Sequence, residues 1–154
     1  MKRIKRKGEG FAIKLPEEER ELLASLPGQL VELLDATAGD AAALSDPAIA
    51  RLFPDAYSAA DSDLADEYRR LMTDDLRERH RGALETLAAG ARAERVDEGE
   101  LYAWMTALTQ LRLVLGTRLG ITEDTNPPDD DPAYAVYSYL SWLQEEVIDA
   151  LSST

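Results

Sequence analysis

Hydrophobic positions near the start of the chain alternate. Phe11, Ile13 and Leu15 are separated by Ala12 and Lys14, a period of two that gives a strand one apolar face. Gly8-Glu9-Gly10 comes just before, and glycine tolerates the positive φ of a tight turn. The segment 2–15 is therefore expected to be a β-hairpin, with Ile4 as the apolar residue of its first strand. A lone hairpin is marginal in water, so this face has to pack on the helices.

From Pro16 onward the period becomes helical. Proline suits the first helical position, and Glu17, Glu18 and Glu19 complement the positive end of a helix. Leu22, Leu26, Leu30, Leu33 and Leu34 stay in phase across Pro27-Gly28, which predicts one kinked helix over 16–35 rather than two. A small-residue loop, 36–45, leads to Asp46-Pro47 and a short helix ending near Pro54. Asp61 or Ser62 caps a long segment running to about Ala91, and Thr73-Asp74-Asp75 is a candidate second cap inside it. Asp97 and Glu100 are spaced as a capping box before Leu101, Trp104, Met105, Leu108, Leu111 and Leu115. That helix has a strong stop, with Arg118 in its last turn, then Gly120 and Ile121. Asp131-Pro132 opens the last helix, which carries Val136, Leu140, Leu143, Val147 and Leu151. The expected fold is mainly α: a bundle of five or six helices over 16–154 behind a small N-terminal β-hairpin, in a single domain 1–154.

Composition and charge sharpen this picture. The 154 residues are 45% hydrophobic and 31% charged, as in a globular chain, and no apolar run approaches the roughly 18 residues of a membrane span. No membrane contact is expected. The net charge of −13 is unevenly placed. Residues 1–15 hold six basic side chains and one acid, a formal +5, which leaves −18 for the rest. An acidic body repels nucleic acid and anionic membranes, so only the N-terminal segment can attract them. Lys7-Gly8-Glu9-Gly10 stands where a secretory signal needs an apolar stretch, and the absence of Cys agrees with a cytoplasmic location.

Several chemistries lack their residues. With no Cys and one His, only His80 could activate a nucleophile, and no zinc ligand set can form from Cys and His. His80 lies four residues after Leu76 and four before Leu84, which reads as a partly buried histidine bonded to a neighbouring carboxylate. No phosphate-binding glycine motif is present. The acidic stretch 123–131 fails as a calcium loop. Counted from Asp124, its sixth and twelfth places hold Asp129 and Ala135 instead of Gly and Glu. The chain reads as a non-enzyme, with no catalytic residue, metal or cofactor assigned.

Three groups of residues are candidates for a partner. Lys2, Arg3, Lys5, Arg6 and Lys7 can bind phosphates or an acidic protein patch, or can neutralise the acidic helices of their own fold. Tyr134, Tyr137, Tyr139 and Trp142 widen the apolar arc of the last helix, either capping the core or forming a homodimer or partner surface. Arg112 and Arg118 are expected in a structural ion pair or an anion site, because a partly buried arginine calls for a carboxylate.

One run is more specific. Leu111-Arg112-Leu113-Val114-Leu115-Gly116-Thr117-Arg118-Leu119-Gly120-Ile121, followed by Thr122-Glu123-Asp124, resembles a signature of the bacterial family catalogued as domain of unknown function twenty-seventeen. Gln29-Leu30, Glu32-Leu33-Leu34, Asp46-Pro47, Leu52-Phe53-Pro54 and Trp142-Leu143-Gln144-Glu145 extend the likeness over almost the whole chain. That family has also been labelled an oxidative stress transcriptional regulator. The resemblance implies a regulatory or interaction protein of stress-response transcription, working through contact with a sigma factor or with DNA. Encoding of members near the Clp adaptor implies an alternative, an accessory to Clp-linked proteolysis. An unrecognised small enzyme is the second alternative. The resemblance assigns no catalytic residues. It implies close helix approach at Gly116 and a helix cap at Gly120. The label also implies thiol control, which this Cys-free chain cannot use, leaving only Met1, Met72 and Met105 as oxidisable sulfur.

Overall fold

A computed structural model describes residues 2–36, 47–53, 63–121 and 130–153. Strand β1 (Ile4–Lys7) pairs antiparallel with β2 (Gly10–Ile13), in register from Ile4 opposite Ile13 to Lys7 opposite Gly10. The connection is therefore Gly8-Glu9, with Gly8 at φ 66° and Glu9 outside the positive-φ region, the pattern of a II′ hairpin turn.

The sheet has one strand more than the alternation predicted. Strand β3 (Arg95–Asp97) pairs with β2, so β2 is central and its second edge is not left open. Three residues with one apolar side chain, Val96, are too short to show a period. Their strand character comes from the waiting edge of β2, not from their own pattern.

Helix α1 (Glu17–Ala36) runs through Pro27 without a break, as the continuous leucine phase predicted. Helix α2 (Pro47–Ala50) is shorter than expected. Turn hydrogen bonds then carry the chain to Phe53, while Pro54 and the expected caps Asp46, Asp61 and Ser62 lie outside the described residues. Helix α3 (Asp63–Gly90) passes through Thr73-Asp74-Asp75 unbroken. Those acids instead pair along the helix, Asp74 with Arg77 and Asp75 with Arg79.

Helix α4 (Glu98–Leu119) begins with the predicted capping box. Asp97 accepts from the Glu100 N–H at 2.7 Å, and Glu100 accepts from the Asp97 N–H. It ends as predicted too. Gly120 adopts φ 70°, its N–H donates to Thr117 O, and the Ile121 N–H donates to Gly116 O at 2.9 Å. Helix α5 (Pro132–Ser152) is capped by Asp131, whose side chain accepts from the Ala133 N–H. The described residues thus hold five helices and three short strands.

Helix α4 touches every other described helix and both β2 and β3. Its buried residues, including Leu101, Trp104, Ala107, Leu108, Gln110 and Val114, accordingly fall on several sides of the helix. A single apolar cluster takes in Ile4 and Phe11 of the sheet and core residues of all five helices. Burying side chains such as Phe11, Leu23, Leu84, Trp104 and Leu143 is worth about 1.5–3 kcal/mol each before the entropy of ordering them.

Candidate charged sheet face and helix seam

The five N-terminal cations divide into two sets. Arg3 pairs with Glu19 of α1 at 2.9 Å, and its guanidinium lies 5.6 Å from the Trp142 ring centroid. Its backbone N–H donates to Glu146 of α5. Arg6 lies over Phe11 at 4.7 Å, donates to Ser153 O at 2.9 Å, and sits 3.8 Å from Glu98. Both arginines tie the sheet to the helices. Lys2, Lys5 and Lys7 are exposed.

Alternation turns Arg6 inward, whereas Arg3, just before the strand, has the phase of Lys5 and Lys7 and is drawn from their row by Glu19 and Trp142. Ile4 and Arg6 share the inward face with Phe11, Ile13 and Val96, while Lys5 and Lys7 point outward. The outward row continues across the sheet, since Lys5 is opposite Ala12 and Ala12 is opposite Arg95. Lys14, exposed and in phase with Ala12, extends the row. Arg95 donates to Lys7 O, holding its guanidinium over the turn. Gly10 has to be small there, because a Cβ would meet Val96 O at 2.8 Å. The outward acid Asp97 is engaged as the α4 cap. Arg95 went unseen in the sequence because it joins the lysines only through the unpredicted β3.

Arg20 was also missed, although its guanidinium makes four hydrogen bonds. It donates to four carbonyls, those of Ile13, Leu15, Ala91 and Ala93, at 2.8–3.0 Å. These join the end of β2, the start of α1 and the segment after α3. Nothing in sequence spacing marks a residue whose partners are all backbone.

The expected aromatic surface on α5 is two clusters, not one. Tyr134 stacks on Tyr137, with centroids 6.3 Å apart and planes at 19°, on the side facing α4. Tyr139 and Trp142 face α1 and β1, 5.8 Å apart, with Trp142 under Arg3. Burial, then the neighbouring Glu19 carboxylate, pushes the Tyr139 hydroxyl well above its usual pKa. The helical period of 3.6 explains the division, because positions 134 and 137 turn away from 139 and 142.

Arg112 is not in the expected ion pair. Its Nε donates to Ser141 Oγ at 2.9 Å, Nη1 donates to Gln144 Oε1, and its guanidinium lies 5.5 Å from the Tyr137 centroid. Neutral acceptors on α5 take the place a carboxylate was predicted to fill. Gly116 allows this, since a Cβ there would stand 3.1 Å from Tyr137 Cε2. Arg118 is exposed in the last turn of α4, beside an apolar groove of about 150 Å³ between α1 and α4.

His80 is part-buried as expected, but its partners are not carboxylates. Nε2 lies 3.0 Å from Leu52 O, Nδ1 meets the Gln110 amide, and Phe53 packs edge-on at 5.6 Å. Burial lowers its pKa, the bond to Leu52 opposes that, and Arg79 adds to it. The neutral ring with hydrogen on Nε2 satisfies both neighbours. It lines a shallow depression of about 260 Å³ with Arg51, Met105 and Thr109. Among the described residues, no group of three or more potential ligands could hold a metal, and no helix is long and apolar enough to cross a membrane.

What these residues define is a helical scaffold that carries a small sheet with a cationic outer face. The chain belongs to the DUF2017 family, a domain of unknown function whose model matches residues 1–151. It is similar to a Mycobacterium leprae protein named "Putative oxidative stress regulator AosR", with 31% identity over 159 residues, 88% of this chain and 72% of that protein. No solved structure matches.

Proposed function

We propose that this chain is a non-enzymatic regulator of stress-response transcription that works by binding an acidic patch on a protein of the transcription machinery, such as a sigma factor. The carrying observation is the exposed outward row of Lys5, Lys7, Lys14 and Arg95 on a chain of net charge −13. The regulatory role is supported by the name of the Mycobacterium leprae relative. A protein partner suits this charge pattern better than DNA does. A duplex is negative along its whole length and repels the acidic body that surrounds the row, whereas a protein surface can oppose acid to the row and base to the body.

The test is affinity capture from native cytoplasm, with and without nuclease, for the wild type and for Lys5→Gln/Lys7→Gln/Lys14→Gln. The proposal expects a nuclease-resistant, salt-sensitive transcription protein that the triple variant loses. Nuclease-sensitive capture would move the reading to DNA. Capture of a Clp adaptor or chaperone subunit would replace it with the proteolytic role.

A further inference from the structure

Six of the buried or half-buried arginines in the described residues invite the same question: what balances the charge? Arg3, Arg6, Arg77 and Arg81 pair with Glu19, Glu98, Asp74 and Asp35. Arg20 has no acid but donates four hydrogen bonds to carbonyls. Arg112 has neither. In a chain with 30 acids, it makes no ion pair among the described residues and uses its guanidinium for only two hydrogen bonds, to Ser141 and Gln144.

Those two bonds fix its orientation. Gln144 cannot turn over to release it, because its amide nitrogen donates to Thr109 Oγ1. Ser141 Oγ is held in turn by donating to Tyr137 O at 3.0 Å. The guanidinium is also held over Tyr137, and Tyr134 continues that aromatic surface. Arg112 is half-buried, and its Nη2 makes no hydrogen bond within the described residues. A planar fork held in place with free donors matches a carboxylate in geometry and in charge.

We infer that Arg112, backed by the Tyr134–Tyr137 stack, is a binding site for a carboxylate borne on a flat apolar group, either a free aromatic acid or the C-terminal carboxylate of a chain ending in an aromatic residue. Arg112 supplies the charge and its unused Nη2 donors, Ser141 and Gln144 position it, and the two tyrosines take the apolar body. The site lies on the α4–α5 seam and does not depend on the sheet face.

The experiment follows the Arg112 Nε–Hε signal and the Ser141 and Gln144 amides by NMR in the full chain. The probes are benzoate and its neutral isostere benzamide, then Gly-Gly-Tyr with a free or an amidated C-terminus. The inference expects a saturable shift with the carboxylates, in the millimolar range typical of one charge-assisted contact. It expects little response to benzamide or the amide peptide, and roughly fivefold or weaker binding in Arg112→Lys, which keeps the charge but loses the fork. Tyr134→Leu, with Arg112 intact, should weaken benzoate more than acetate. Comparison of the benzoate and peptide arms separates the two ligand sources. Equal shifts with benzamide, full binding by Arg112→Lys, or no saturable shift with either carboxylate would overturn the inference.

Discussion

The two sides of the N-terminal sheet use positive charge in opposite ways. On the inner side and at its end, Arg3, Arg6 and Arg20 reach Glu19, Glu98, Ser153 O and four further carbonyls, and two of them also lie over Trp142 and Phe11. On the outer side Lys5, Lys7 and Lys14 are exposed, and Arg95 is held above the turn. Arginine suits the first task because its fork matches several acceptors at once, and lysine suits the second because its ammonium is compact and well hydrated. Cations on the inner side should therefore govern stability, and those on the outer side should govern binding.

The largest test of that division is Arg20→Met, which leaves four carbonyls without their shared donor at the junction of β2, α1 and the chain after α3. Urea unfolding should show a loss of about 3 kcal/mol or more. Gly116→Ala comes next. Its new Cβ would press on Tyr137 at 3.1 Å, and a loss of about 1–2 kcal/mol is expected, with the α4–α5 seam disturbed and the sheet untouched. Arg3→Gln removes a half-exposed pair and a ring contact, and should cost about 1 kcal/mol. A smaller effect is expected from pH. Burial lowers the His80 pKa below 6.5, so the unfolded chain takes up the proton more readily than the folded one. The contribution is complete above that pH and is lost as pH falls below it. Stability curves for the wild type and His80→Gln should therefore converge on acidification, and parallel curves would show that the imidazole is not held neutral.

Much of the fold was legible because local signals and packing agree. The Asp97–Glu100 box, the Gly120 stop and the leucine phase across Pro27 all describe helices whose own sequence specifies their limits. What was not legible depends on remote backbone. Strand β3 exists because β2 has an open edge, and Arg20 is fixed by carbonyls up to 73 positions away. The candidate sites fared unevenly for the same reason. A run of five cations says nothing about which side each one takes until β1 is placed; placement turned Arg6 inward, and contacts with Glu19 and Trp142 drew Arg3 out of the group. Arg112 was recognisable as a half-buried cation beside an apolar stripe. Its neutral partners Ser141 and Gln144 lie on another helix and carry no charge pattern to announce them.

The central claim is that the arginines tied to the helices hold the fold while the outer lysines hold the partner. The most direct measurement takes Lys5→Gln/Lys7→Gln/Lys14→Gln and Arg3→Gln/Arg6→Gln through the same urea titration and the same capture of the partner. The account predicts that the lysine variant unfolds within about 0.5 kcal/mol of the wild type but loses the partner. The arginine variant should be less stable by about 1–3 kcal/mol, yet retain the partner under conditions where it is folded. A lysine variant that still holds the partner at moderate salt would contradict the account.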